Sequence, residues 1–127
     1  MEQYVGLDVS QDLTHVCVVD RDGKTLWQGD CASTPEAIGT TIQKHAPHVV
    51  RIGLESGHLS VWHWHGLTDM GLPAICIDSY HAHGVLKLQL NKTDKNDAHG
   101  LAQIMRCGWY KEVQVKSFES HESRALF

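Results

Sequence analysis

A mixed α/β sheet is the fold class the sequence predicts, on three observations. Three strand-like segments open the chain, a tight-turn dipeptide separates the second from the third, and two further short apolar runs then alternate with helical patterns. Strands joined by hairpins pair antiparallel, whereas strands joined through a helix need a crossover and pair parallel. The order βββαβαβα therefore gives a mixed sheet flanked by helices, which is the ribonuclease-H-like order.

Each element has a local reason. Residues 4–9 are an apolar run without polar alternation, as expected of a strand covered on both faces. A second strand spans 15–19, and Asp22 with Gly23 is a hairpin turn signal leading to a third strand at 25–29. Ser33 or Thr34 can cap a helix that has Pro35 in its first turn and Glu36 near its positive end; Ile38, Ile42 and Ala46 share one face, and Pro47 closes it. Residues 49–54 read as another buried strand. A second helix spans about 59–70, with Val61, Trp64 and Leu67 spaced as a core stripe and Gly71 ending it. Residues 73–78 give a fifth strand, and the remainder reads as mostly helical, with a clear helix beginning near Thr93. After Glu112 the pattern weakens.

At 127 residues, with 42% hydrophobic and 20% charged residues, the chain fits one domain with its own core. It contains no run of ~18 apolar residues and no signal-peptide pattern, so the expectation is a soluble, cytoplasmic protein without a membrane partner. Cys17, Cys31, Cys76 and Cys107 are far apart and form no C-x-x-C pair, which argues against a zinc ribbon or disulfide framework and leaves them as small buried hydrophobes. The net charge of −4 argues against a stand-alone DNA-binding module, since phosphate neutralisation needs clustered Lys and Arg. Charge is unevenly spread, however. Residues 1–83 hold four Lys or Arg against ten Asp or Glu, while residues 84–116 hold six against three. Lys87, Lys92, Lys95, Arg106, Lys111 and Lys116 make a modest basic strip that suits either phosphate contact or a solvated surface.

Four carboxylates carry the functional argument. In the last clear helix Ala98, Leu101, Ala102 and Met105 form a core stripe, and its extension toward the N-terminus meets Asp97 and then Asp94. Two acids continuing a buried face either sit exposed at the helix end, where they act as favourable first-turn charges, or bind a cation. Asp8 lies within the apolar run of the first strand, with Val5, Leu7 and Val9 on the other face. Glu55 follows the strand at 49–54, at the end where parallel strands present ligand-binding groups. Converging carboxylates repel one another unless hard cations such as Mg²⁺ or Mn²⁺ bind between them. Two such ions ~3.5–4 Å apart serve phosphodiester chemistry.

The segments GLDVS around Asp8, GLESG around Glu55 and KTDKNDA around Asp94 and Asp97 resemble the catalytic blocks of DEDD transposases. These are insertion-sequence recombinases related to the Piv-type DNA invertases, and some are guided by a bridge RNA. KTDKNDA is the most specific block, and the resemblance extends over nearly the whole chain. It implies a RuvC-like catalytic domain over residues 1–116, with 117–127 opening a helical linker toward a C-terminal domain that bears a catalytic serine. Asp8, Glu55, Asp94 and Asp97 would then be the metal-binding tetrad for Mg²⁺ or Mn²⁺; apart from the resemblance, Lys92 and Lys95, which bracket Asp94, and Lys87 of the basic strip are candidate nucleic-acid contacts on charge and position. The implied activity is metal-dependent DNA cleavage and strand transfer by a homo-oligomer, a dimer or larger, with DNA and in some members a guide RNA as partners.

Other residues are weaker candidates. His63 with His65, and His81 with His83, are two apart in helical segments and point in different directions, so they read as surface or partly packed imidazoles. Trp62, Trp64 and Trp109 could stack on bases but suit core or interface positions better. Ser10 and Ser56 flank acids without a base beside them, so neither is proposed as a nucleophile. Two rival readings remain at this point. An actin- or sugar-kinase-like nucleotide-binding domain requires a Gly-rich phosphate turn between the early strands, where only Asp22-Gly23 stands. A non-catalytic domain for RNA binding or oligomerisation requires a tetrad that holds no metal.

Overall fold

A computed structural model describes residues 1–78, 97–108, 110 and 112–115, with Asp97 described by its backbone alone. The elements are β1 (Gln3–Val9), β2 (Leu13–Asp20), β3 (Thr25–Ala32), α1 (Pro35–His45), β4 (Val49–Glu55), α2 (Ser60–Asp69), β5 (Ala74–Ile77) and α3 (Asp97–Cys107). They form a five-stranded sheet of order β3-β2-β1-β4-β5. β1 runs antiparallel to β2 and β2 to β3, whereas β4 is parallel to both β1 and β5. This is the mixed, ribonuclease-H-like sheet that the element order predicts.

Local chemistry sets the element ends. The Thr34 side chain accepts from the Ala37 N–H at 3.2 Å, which satisfies one of the unpaired amides at the start of α1. At the β2–β3 hairpin Gly23 has φ +86°, and the Asp20 carboxylate accepts from the Asp22 and Lys24 amides, each at 2.9 Å.

Two apolar layers sandwich the sheet. On one face Val5, Leu7, Val16, Val18, Ile52 and Leu54 pack with Ile38 and Ile42 of α1 and Leu67 of α2. On the other, Tyr4, Cys17, Val19 and Ile77 meet Ala98, Leu101, Ala102, Ile104 and Met105 of α3, so the predicted stripe of that helix is the buried one. α3 lies across β1, β2 and β4. It comes so close to β1 that a Cβ placed on Gly6 would stand 2.0 Å from the Ala98 carbonyl oxygen and 2.4 Å from the Ala102 nitrogen. Arg51 of β4 closes the far end of α3 by donating to the Met105 carbonyl at 2.8 Å and the Arg106 carbonyl at 3.4 Å, and its guanidinium lies over the Tyr4 ring.

The structure corrects four local expectations. In α2 the buried residues are Ser60, His63 and Leu67, with Trp64 packed beside them, while Val61 is only half-buried. Ser60 tolerates burial because its Oγ donates to the Gly57 carbonyl at 2.7 Å and accepts from the Gly57 amide at 3.2 Å. His63 is not a surface or partly packed imidazole; it is fully buried. Of the cysteines, Cys17 and Cys76 are buried and burial pushes the Cys17 thiol up to about 11, but Cys31 is half-buried and Cys107 exposed. Finally, the chain beyond α3 is not helical at Glu112, which bridges Ile77 antiparallel while the Val113 amide donates to the Cys76 carbonyl at 2.7 Å. β5 is the last strand of the sheet, and its open edge accepts this segment.

Candidate active site

The site forms where β1 and β4 end. Leu7 and Leu54 are parallel partners, so Asp8 and Glu55, the next residues of each strand, occupy neighbouring positions. Both are half-buried, and both line a cleft of about 260 Å³. Alternation along β1 puts Asp8 on the same face as Gly6, the face that α3 covers. With the Ala98 carbonyl against Gly6 and the helix C-terminus held by Arg51, α3 runs away from the cleft, and its first residue, Asp97, starts at the end of the sheet that carries Asp8 and Glu55. The structure thus brings Asp8 and Glu55 together and begins α3 nearby. Asp94, Lys87, Lys92 and Lys95 lie outside the described residues, as do His81, His83, Trp109, Lys111, Lys116 and 117–127. Among the described residues no group of three or more His, Cys, Asp or Glu is placed to hold a metal ion.

Two turns wall the cleft. Ser10 follows β1, its Oγ and amide both donating to the Leu13 carbonyl, and its own carbonyl accepts from Ser33 Oγ at 2.5 Å. Ser33 Oγ in turn shares a hydrogen bond of 2.7 Å with Thr14 Oγ1, which ties the turn to the start of α1. On the other side the Ser56 amide donates to the Ile77 carbonyl at 2.9 Å, and Gly57 is bonded to Ser60 as described. The turn between β1 and β2 holds no glycine and that between β2 and β3 holds only Gly23, so the Gly-rich phosphate turn that the actin- or sugar-kinase-like reading requires is absent from the early strands. Arg106, the described member of the basic strip, is engaged internally: its Nε donates to Gln103 Oε1 at 2.7 Å, and Gln103 Nε2 donates to the Gly23 carbonyl at 2.8 Å.

Sequence reasoning missed His15 and set His63 aside. His15 is the cross-strand partner of Asp8 on one side and of Asp30 on the other, so Asp30, His15, Asp8 and Glu55 form a polar row over four neighbouring strands. His15 Nδ1 lies 2.7 Å from Asp30 Oδ1, and its Nε2 lies 3.2 Å from Gln28 Oε1. Burial alone would lower the His15 pKa, but the bonds to Asp30 and Gln28 and the negative charges of Asp30 and Asp8 outweigh it and raise the value. Counting outward from the Asp22–Gly23 turn sets Asp30 opposite His15, so this pair could have been found. His63 also lines the cleft, and neither of its ring nitrogens has a hydrogen-bond partner among the described residues. Burial lowers its pKa, and the Glu36 carboxylate opposes this only in part.

The lowered value gives a stability prediction. Between the folded pKa of His63 and its unfolded value of about 6.5, the unfolded chain binds the proton that the folded chain refuses, so stability should fall as pH drops below about 6.5. His15 contributes with the opposite sign: its bonds stabilise below the unfolded value and fade as pH rises through the raised folded one. Urea unfolding of the parent and of His63→Leu at about pH 7.5 and about pH 5.5 isolates His63. The variant is expected to lose less stability on acidification, and an identical loss in both proteins would refute the assignment.

The IS110-type DEDD family model, described as a transposase, matches residues 5–127. The chain belongs to this transposase family. It is 25% identical over 123 residues to the transposase for insertion sequence element IS1111A of Coxiella burnetii (strain RSA 493 / Nine Mile phase I). That match covers 96% of this chain and 32% of the relative, so the chain spans about a third of the length of the curated transposase it resembles. A solved ROK family transcriptional regulator, a homolog of the E. coli MLC protein, is similar at a TM-score of 0.49 and 9% identity, covering 70% of this chain and 31% of that one. No helix among the described residues of this transposase-family chain is long and apolar enough to cross a membrane.

Proposed function

We propose that residues 1–116 are the catalytic domain of an insertion-sequence transposase, in which Asp8, Glu55, Asp94 and Asp97 hold Mg²⁺ or Mn²⁺ for cleavage and strand transfer of DNA in the cytoplasm. The observation that supports this most is the placement of Asp8 beside Glu55 on one cleft, at the ends of adjacent parallel strands, in a chain of the DEDD transposase family. The donor set fits the cation, because adjacent carboxylates offer hard oxygen ligands and need a positive charge between them. When bound, Mg²⁺ or Mn²⁺ would polarise a phosphodiester and favour ionisation of the attacking hydroxyl or water. The protein's own part is positional: two central strands bring Asp8 and Glu55 from distant parts of the sequence to one edge, and the start of α3 would add Asp97. Lys92 and Lys95, which bracket Asp94 in sequence, and Lys87 of the basic strip are assigned to phosphate contacts. Residues 117–127 are assigned to a linker toward a serine-bearing domain. DNA, a guide RNA and further copies of the chain complete this reading as partners.

Cleavage of a plasmid carrying the ends of the mobile element, by the protein that contains this chain together with the remaining length of its relatives, tests the proposal. Cleavage is expected with Mg²⁺ or Mn²⁺ and not in EDTA, and Glu55→Gln should lower it by about 100-fold or more, the scale on which losing a charge-stabilising group acts. Undiminished cleavage by Glu55→Gln would remove Glu55 from the site.

A further inference from the structure

We propose that the cleft takes an unstacked nucleobase next to the carboxylate edge, with His63 hydrogen-bonding to the edge of that base. This rests on the nucleic-acid-processing reading above and adds a specific contact to it. Three features of the cleft carry the inference. Its lining combines Leu7, Leu54 and Leu59 with Ser10, Ser56 and Ser60, the mixture of apolar and hydrogen-bonding groups that a heterocyclic base requires. Its volume of about 260 Å³ lies below the ~300–1,000 Å³ of sites for drug-sized ligands and suits a piece of about one nucleotide. Its lining also includes His63, fully buried, with both ring nitrogens unpartnered among the described residues.

That third feature is costly as a mere core residue. A buried polar atom without a partner destabilises the fold, and a Leu or Phe at this position of α2 would fill the space without the penalty. Such a group is explained when a ligand completes its bonding. A neutral imidazole offers one donor and one acceptor on opposite sides of its ring, so one of its nitrogens can meet a complementary group on a base edge. The nitrogens lie beneath the cleft surface, so the base must press against the neighbouring turn to reach them. The turn before α2 includes the exposed Gly57, and its bonds to Ser60 are what the base must displace. A base held there keeps its sugar-phosphate at the edge formed by Asp8 and Glu55.

Fluorescence anisotropy in EDTA tests the contact independently of any metal, and the retention of Mn²⁺-induced thermal stabilisation is measured separately so that failure of one reading does not count against the other. Single-stranded deoxyribo- and ribo-oligonucleotides are compared with an abasic deoxyribose oligomer of equal length. The parent is expected to bind at least one base-bearing oligomer about 10-fold more tightly than the abasic one, the scale of one buried base contact, and whichever sugar is preferred identifies the strand. His63→Leu should lose most of that preference while melting at or above the parent temperature, and His63→Gln, which keeps a donor and an acceptor, should retain more of it. Absence of any base preference in the parent, or an equal preference in parent and His63→Leu, overturns the proposal; if His63→Leu does not fold, an equal loss of preference in His63→Gln and His63→Ala does so.

Discussion

Gly6→Ala is expected to cost ~3 kcal/mol or more, near the top of the range for overpacked cores, because the added methyl meets backbone and not a flexible side chain. The ideal Cβ would lie 2.0 Å from the Ala98 carbonyl oxygen, 2.4 Å from the Ala102 nitrogen and 2.9 Å from Leu101 Cβ. Relief requires α3 to lift from β1, and that would loosen the contacts of Ala98, Leu101, Ala102 and Met105 with Tyr4, Cys17 and Val19 together. Urea unfolding measures the loss directly. Gly57→Ala is the matched control: nothing lies within 4 Å of its Cβ position, so it should stay within about 0.5 kcal/mol of the parent. Equal stability of Gly6→Ala and the parent would mean that α3 does not rest on β1 as described.

Metal linkage gives the second large effect. If the cleft binds Mn²⁺ in the folded chain only, a concentration of 100 times the dissociation constant stabilises by about 2.7 kcal/mol, which is about 10 °C in melting temperature for a domain of this size. Asp8→Asn is expected to abolish that shift. In EDTA the same variant should melt at or above the parent temperature, because it removes one of two neighbouring negative charges. Asp97→Asn separates the helix-start acid from a capping role: an acid in the tetrad loses the Mn²⁺ shift, whereas a first-turn charge leaves it intact. Thermal melts of the three proteins with EDTA and with excess Mn²⁺ decide both points, and a full shift in Asp8→Asn would place the cation elsewhere.

The elements were legible in the sequence because each has a local cause. Continuous apolar runs marked the covered strands, Thr34 and Pro35 marked the start of α1, and the Asp22–Gly23 turn marked the hairpin. The stripe of α3 was legible too, since its small and branched residues face one direction only. Legibility failed where tertiary partners decide. Ser60 takes an inward place that Val61 was expected to hold, and only its bonds to Gly57 make that possible. His63 reads as polar from composition, and nothing in its spacing announces a buried ring. Glu112 pairs with Ile77 by a single bridge, too short to leave a periodicity. For the site, Asp8 and Glu55 were legible as acids at the ends of apolar runs, while the alignment of His15 with Asp8 depends on a pairing register that apolar pattern alone does not reveal.

The sheet order has a further consequence for how a ligand would be received. β1 and β4 are interior strands, each hydrogen-bonded to a neighbour on both sides and covered by helices, so Asp8 and Glu55 are carried at the ends of strands that are held from both sides. An incoming ligand finds its anchoring backbone already in place, and the entropy of ordering a mobile segment is not subtracted from its affinity at these two positions. Adaptation is left to the turns on either side of the strand ends, so variants of the cleft walls can alter what is admitted without disturbing the ground on which the acids stand.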